Sequence, residues 1–335
     1  MALADTLTAA WYGNGRVPWW CWPLAWLYGA IGVLRRGLYR RGWLTSQRLP
    51  VPVVVIGNLT AGGTGKTPLT IALAQALRER GFAPGVVSRG YGGHQREPVL
   101  LGDAPDPRQV GDEPCLFRAH GIPVAVGRDR PAAARLLVEA GFDVVLADDG
   151  LQHYRMARDV EICVIDAARG FGNGHLLPAG PLREPLSRLA TVDLCVCNGG
   201  ERPGAYPMYL RGGDARALTG GARQPLTAFA GRNVHAVAAI GNPARFFDSL
   251  RAHGIEPIEH AFPDHHAFVP GDLHFDDDLP VLMTDKDAIK CRPFAQAGWW
   301  TVPVRAELAG EFFEAVAGRV AAAQGLRTRT PGPRP

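Results

Sequence analysis

The run from Pro52 to Arg80 constrains the fold more than any other part of the chain. Val53-Val54-Val55-Ile56 is a short β-branched stretch bounded by proline and glycine, which predicts a buried strand. Gly57-Asn58-Leu59-Thr60-Ala61-Gly62-Gly63-Thr64-Gly65-Lys66-Thr67 follows, and an apolar-periodic stretch from Leu69 to Arg80 predicts a helix. Strand, glycine-rich turn and helix in that order form a phosphate cradle. Glycines let successive backbone N–H groups wrap an anion, and the helix N-terminus adds its positive end. Thr60, Ala61, Gly62, Gly63, Thr64, Gly65, Lys66 and Thr67 are therefore candidate nucleotide contacts. Lys66 is placed to reach the β- and γ-phosphates of ATP, and the Thr67 hydroxyl to ligate Mg²⁺.

One position departs from the common pattern. Thr60 stands where G-x-x-x-x-G-K-[ST] has its first glycine, and the Gly62-Gly63-x-Gly65-Lys66-Thr67 core is similar to a GG-x-GK-T variant of P-loop ATPases and kinases. A second strand supports the reading. Phe142-Asp143-Val144-Val145-Leu146-Ala147 is apolar and ends in Asp148-Asp149-Gly150. An acid at the C-terminal end of a core strand is where a P-loop enzyme places its metal carboxylate. Asp148 is the first candidate, with Asp149 beside it for Mg²⁺ or its water shell. The expected class is α/β: a P-loop NTPase-type, mostly parallel sheet flanked by helices.

Charge adds a second constraint. The net charge is +4, but residues 1–50 hold six arginines (Arg16, Arg35, Arg36, Arg40, Arg41, Arg48) against one acid, Asp5. The basic excess is thus N-terminal, and no basic stripe or aromatic RNA-binding motif lies beyond residue 50, which argues against a nucleic-acid partner. Val17 to Leu34 carries no charge, and six of the eight tryptophans (Trp11, Trp19, Trp20, Trp22, Trp26, Trp43) fall in or beside it. Tryptophan at headgroup depth with arginine beyond it suits an interfacial membrane anchor. Eighteen uncharged residues are at the lower limit for a span, and Pro18, Pro23, Gly29 and Gly32 weaken a continuous helix. A helix packed on the rest of the protein is the third reading. A cleaved signal peptide lacks its basic start and its cleavage site. Six scattered cysteines without metal-ligand spacing suit a reducing compartment.

Seven ordered motifs carry a wider resemblance. They are G-N-L-T-A-G-G-T-G-K-T-P at 57–68, S-R-G-Y-G-G at 88–93, G-D-E-P at 111–114 and D-D-G-L-Q-H at 148–153. L-P-A-G-P-L-R-E at 177–184, F-P-D-H-H at 262–266 and M-T-D-K-D-A-I-K-C at 283–291 complete the set. With them the chain resembles the tetraacyldisaccharide 4′-kinases, the lipid A 4′-kinases of Gram-negative bacteria, over nearly its whole length.

The resemblance implies transfer of the ATP γ-phosphoryl to the 4′-hydroxyl of an acylated glucosamine disaccharide 1-phosphate, at the cytoplasmic face of the inner membrane. No obligate protein partner is evident. By motif, Asp112 would act on the sugar hydroxyl and His265 would orient or tune it; His266 is adjacent, and the sequence leaves open which faces inward. Arg183 and Glu184 would sit near the phosphates or substrate, Glu184 helping to hold Mg²⁺. Arg128 and Arg130 are candidates for the substrate 1-phosphate or the γ-phosphate. Thr284-Asp285-Lys286-Asp287 resembles the purine element of other P-loop proteins and hints at adenine contacts.

The resemblance also implies a second, smaller α/β domain. Strands are expected at Val234–Ile240, Pro280–Met283 and Thr301–Val304, with a helix over Pro243–His253. The expected division is a membrane-associated segment 1–48, a kinase domain 49–228, a small domain 229–326 and a disordered tail 327–335. Two other functions fit the P-loop alone: a kinase of a soluble small molecule, and a membrane-associated ATPase switch.

Overall fold

The computed structural model describes residues 3–329. Helices α1 (Leu3–Tyr12) and α2 (Cys21–Arg40) lead into β1 (Val53–Gly57), α3 (Lys66–Glu79), β2 (Pro84–Ser88) and β3 (Val99–Leu100). Next come α4 (Pro107–Val110), α5 (Asp112–Ala119), β4 (Val124–Val126), α6 (Arg130–Glu139), β5 (Val144–Asp148), β6 (Val160–Asp166), β7 (Leu194–Asn198) and β8 (Tyr206–Gly212). The chain then passes through β9 (Ala215–Ala217), β10 (Arg223–Gln224), β11 (Asn233–Ala238), α7 (Pro243–Arg251) and β12 (Glu256–Ala261). It finishes with β13 (Val281–Thr284), α8 (Asp285–Cys291), β14 (Trp299–Val302), β15 (Val304–Leu308) and α9 (Gly310–Arg329).

Two sheets result. The larger has nine strands in the order β15-β8-β7-β6-β1-β5-β2-β4-β3, and the smaller has six, β10-β9-β14-β13-β11-β12. In the larger sheet β1 pairs in parallel with both β5 and β6, and only the outermost pairs, β8 with β15 and β3 with β4, are antiparallel. Alternation splits β1 between two cores. Val54 and Ile56 pack with Leu69, Leu73 and Leu77 of α3 on one face, while Val53 and Val55 pack with Ala133 and Leu137 of α6 on the other. A strand buried on both faces reads as the continuous Val-Val-Val-Ile run seen in the sequence. The pairing of Ile56 with Asp148 brings the loop after β1 beside the Asp-Asp-Gly turn after β5.

The sheets divide the chain differently from the expected boundaries. β9 and β10, before residue 228, belong to the small sheet, and β15 returns to the large one. Phe312, Val316 and Val320 of α9 join the core around α3. Residues 327–329, expected to begin a disordered tail, end α9, and Arg327 pairs with Asp159 at 2.8 Å; residues 330–335 lie outside the described residues. The third small-domain strand sits at Trp299–Val302 rather than two residues later.

The N-terminal segment also differs. α2 runs unbroken for 20 residues. Pro23 falls in its first turn, where no intrahelical N–H is lost, and Gly29 faces the loop 176–184, where a Cβ would lie 2.9 Å from Leu176 Cδ1. The glycine is there for close approach, so it does not end the helix. No helix among the described residues is long and apolar enough to cross a membrane.

Candidate active site

Gly65, in the left-handed region at φ +92°, turns the chain into α3 and places Lys66 at the helix N-terminus. A side chain at Gly65 would also meet Asn198 Nδ2 at 2.5 Å. That close approach is productive: Asn198, at the end of β7, donates to the Thr64 carbonyl at 2.9 Å and sets the orientation of the loop peptide. Lys66 Nζ donates to Asn58 Oδ1 at 3.2 Å and lies 3.5 Å from Asp149. Thr60, where a glycine is usual, forms a backbone bridge with Leu182, and Ala61 N donates to the Pro181 carbonyl at 2.7 Å. The loop of the L-P-A-G-P-L-R-E motif therefore braces the phosphate cradle along one side.

The two carboxylates of the Asp-Asp-Gly turn are driven apart electrostatically. Asp148 is buried, and Oδ1 has no hydrogen-bond partner. Burial, with Glu113 and Asp149 nearby, pushes its carboxyl up to about 8. Asp149 has φ +46° and receives Arg183 Nη1 on both oxygens, at 3.1 and 2.9 Å. Burial would raise its pKa as well, but Lys66 and Arg183 outweigh it and hold the group at about 2. A pair tuned in opposite directions is a mark of functional carboxylates.

The second centre joins the two sheets. Asp112 opens α5, and His265 sits at φ +62° in the turn after β12; His265 Nδ1 lies 3.1 Å from Asp112 Oδ2. Tyr91 packs on the imidazole with ring centroids 5.1 Å apart. His266 faces elsewhere, against Asp272 at 2.9 Å and between Phe262 and Phe268. Gly111, at φ +90°, lets the G-D-E-P turn lie on the S-R-G-Y-G-G loop, for a Cβ there would meet the Tyr91 carbonyl at 2.4 Å. Contact with the cradle runs through Gly241, where a Cβ would stand 3.4 Å from Gly63 N and 3.6 Å from Asp264 Oδ2.

The remaining candidates are placed as follows. Arg183 reaches the site through Asp149. Glu184 points the other way: Oε1 accepts from Tyr154 Oη at 2.6 Å and from Arg36 Nη1 at 3.2 Å, while Oε2, 3.7 Å from Arg188, has no hydrogen-bond partner. Arg130 is buried and donates to the Asp149 carbonyl at 2.9 Å; it supports the turn from below instead of facing a substrate. Arg128 is exposed after β4. Asp287 of the expected purine element is wholly buried, accepting from Ala239 N and Thr284 Oγ1 at 2.9 and 2.6 Å. Thr284 caps α8, its hydroxyl accepting from Asp287 N at 3.2 Å, and the Asp287 carboxylate is not open to a base.

A family model described as tetraacyldisaccharide-1-P 4′-kinase, LpxK, matches residues 17–321. The chain belongs to this family. It is 52% identical over 322 residues to the tetraacyldisaccharide 4′-kinase of Stenotrophomonas maltophilia, covering 92% of this chain and 95% of that one. Its identity to the enzyme of that name from Xanthomonas euvesicatoria is 50% over 325 residues, with 92% and 94% covered. A crystal structure of LpxK from Aquifex aeolicus in complex with ATP superposes with a TM-score of 0.74 at 26% identity, covering 90% of this chain and 97% of that one. Asn58 and Asn198, which contact Lys66 and the Thr64 carbonyl, were passed over in the sequence; Asn58 lies inside a quoted motif, which was a usable signal, and Asn198 lies in none. Lys286, read there only as part of a purine-type element, instead meets Asp264 and His265.

Proposed function

We infer that the chain transfers the γ-phosphoryl of ATP to the 4′-hydroxyl of a tetraacylated glucosamine disaccharide 1-phosphate, and that Asp112 accepts the hydroxyl proton. The observation that supports the residue assignment is the Asp112–His265 contact across the junction of the two sheets, with the neighbouring Asp264 and Gly63 of the cradle both beside Gly241. The sugar oxygen attacks the γ-phosphorus, the bond to the bridging oxygen of ADP breaks, and the proton passes to Asp112. Such a loose transition state asks for positioning and late proton acceptance more than for a strong base.

The residues fit a Mg²⁺–nucleotide. Thr67 and the orphaned Asp148 oxygen would hold the cation from one side, with Asp149 available to its water shell. Mg²⁺ held by one or two carboxylates and substrate phosphates is the common arrangement, and it neutralises charge on the β- and γ-oxygens when bound. Lys66 binds the same phosphates, and the backbone of residues 60–65 excludes water from them. The test is ATP-dependent phosphorylation of detergent-dispersed disaccharide 1-phosphate. A bis-phosphorylated lipid is expected. ATP consumption without lipid product would reject the kinase reading in favour of an ATPase switch, and phosphorylation of soluble sugars alone would favour the small-molecule kinase.

We further propose that α2 rests on the cytoplasmic surface of the inner membrane. Trp19 and Trp26 are about four-fifths exposed, at 82% and 80%, and Leu27, Ile31, Val33, Leu34 and Trp43 are exposed with them. Apolar side chains flanked by arginine suit the headgroup boundary. The opposite side of α2 grips the site: Tyr28 Oη donates to the Arg183 carbonyl at 3.0 Å and Arg36 pairs with Glu184. Sedimentation with phosphatidylglycerol vesicles should capture the protein, and the double variant W26E/L34E should stay in the supernatant. Equal sedimentation of both would remove α2 from the contact.

A further inference from the structure

Lys286 belongs to a motif that the reaction above leaves without a role. It is the second residue of α8, and its ammonium lies 3.0 Å from Asp264 Oδ1 and 3.3 Å from His265 Nε2. We propose that Lys286 is a positioning residue that fixes the tautomer of His265, keeping Nε2 bare so that Nδ1–H points at Asp112. The inference rests on Asp112 being the proton acceptor.

A lysine ammonium has three donors and no acceptor, and a neutral imidazole has one of each. A donor against Nε2 makes that nitrogen the acceptor. The ring proton is then on Nδ1, which donates to Asp112 Oδ2 at 3.1 Å. The opposite tautomer would set a bare Nδ1 against a carboxylate oxygen and Nε2–H against an ammonium, so both contacts would repel. His265 thus occupies one oxygen of Asp112 and leaves the other for the substrate hydroxyl.

Asp264, 3.8 Å from His265 Nε2, is the one charge among the described residues that would draw a proton to that nitrogen, and Lys286 pairs with it at 3.0 Å and stands closer to Nε2, at 3.3 Å. Lys290, from the next turn of α8, stands 3.8 Å from Asp112 Oδ2 and is itself held by Asp287 at 2.8 Å. Tyr91 closes a face of the ring.

The experiment is ¹⁵N NMR of histidine-labelled protein, with the His265 signals assigned by their loss in His265→Gln, applied to the wild type, Lys286→Met and Lys286→Arg alongside their kcat and KM. The wild type should show a bare Nε2 and a protonated Nδ1 at neutral pH. Lys286→Met should lower kcat about tenfold, a fraction of what a general base supplies. Its His265 signals should show the proton shared between Nδ1 and Nε2, and Lys286→Arg, which keeps a donor, should restore both rate and tautomer. A proton on Nε2 in the wild type overturns the proposal, and that spectrum needs no variant to fold. An effect of Lys286→Met confined to KM, with the tautomer unchanged, also overturns it and makes Lys286 a substrate contact. Should Asp112→Asn prove fully active, the base assignment fails, while the resonance of Nε2 still decides the tautomer.

Discussion

Asp112→Asn is expected to lower kcat for lipid phosphorylation by about 10²- to 10⁴-fold, the span that general-base catalysis supplies, while KM for ATP stays near its wild-type value. Asparagine keeps the shape of the side chain and can still accept from His265 through its amide oxygen. It loses the capacity to take a proton. The fold should survive, because Lys290, the cation beside Asp112, retains Asp287 at 2.8 Å and the His266 carbonyl at 3.0 Å. Thermal denaturation of the variant checks that point. A variant with intact kcat and raised KM for the lipid would make Asp112 a hydrogen-bonding contact, and the proton would have to leave by another route.

The parts of this site that local sequence determines were legible. A β-branched run, a glycine turn and Lys-Thr at a helix start state their own geometry, and β1, the cradle and α3 stand where that grammar places them. The Asp-Asp-Gly turn follows from an apolar strand ending in acids. Residues supplied from a distance carry no such signature. Asn198 reaches Thr64 across 134 positions, and nothing around it marks it as more than a strand end. Adjacent residues in turns were ambiguous for a related reason. Arg183 and Glu184 leave the backbone in opposite directions, one to Asp149 and the other to Tyr154 and Arg36, and His265 and His266 separate at a positive φ. Composition could not fix α2 either. Its glycines weaken an isolated helix, but packing against Leu176 and the loop that carries Arg183 overrides propensity.

Asp148→Asn should produce two effects of opposite sign. Turnover should fall about a thousandfold or more, ~4 kcal/mol, since the variant lacks the anionic oxygen that would hold Mg²⁺ beside the β- and γ-phosphates. The ligand-free protein should meanwhile lose less stability as pH rises. The carboxyl of Asp148 is pushed up to about 8 in the fold, against about 3.9 for an unperturbed aspartate. A folded value above the unfolded one means that the group contributes full stability below about pH 4, and that this contribution is lost as pH rises through 8. Asparagine cannot ionise, so the difference between wild type and variant should widen across that window and level off above it. Groups far from the turn are common to both proteins and cancel in the comparison, while Glu113 and Asp149, which are coupled to Asp148, move with it. Melting curves from pH 4.5 to 8.5 without ligand would measure the slope, and repetition with Mg²⁺ and a non-hydrolysable nucleotide should remove it in the wild type alone. Parallel pH slopes for the two proteins would mean that Asp148 is not held protonated by its burial. The carboxylate would then be a satisfied structural acceptor, and the metal would have to depend on Thr67 and Asp149.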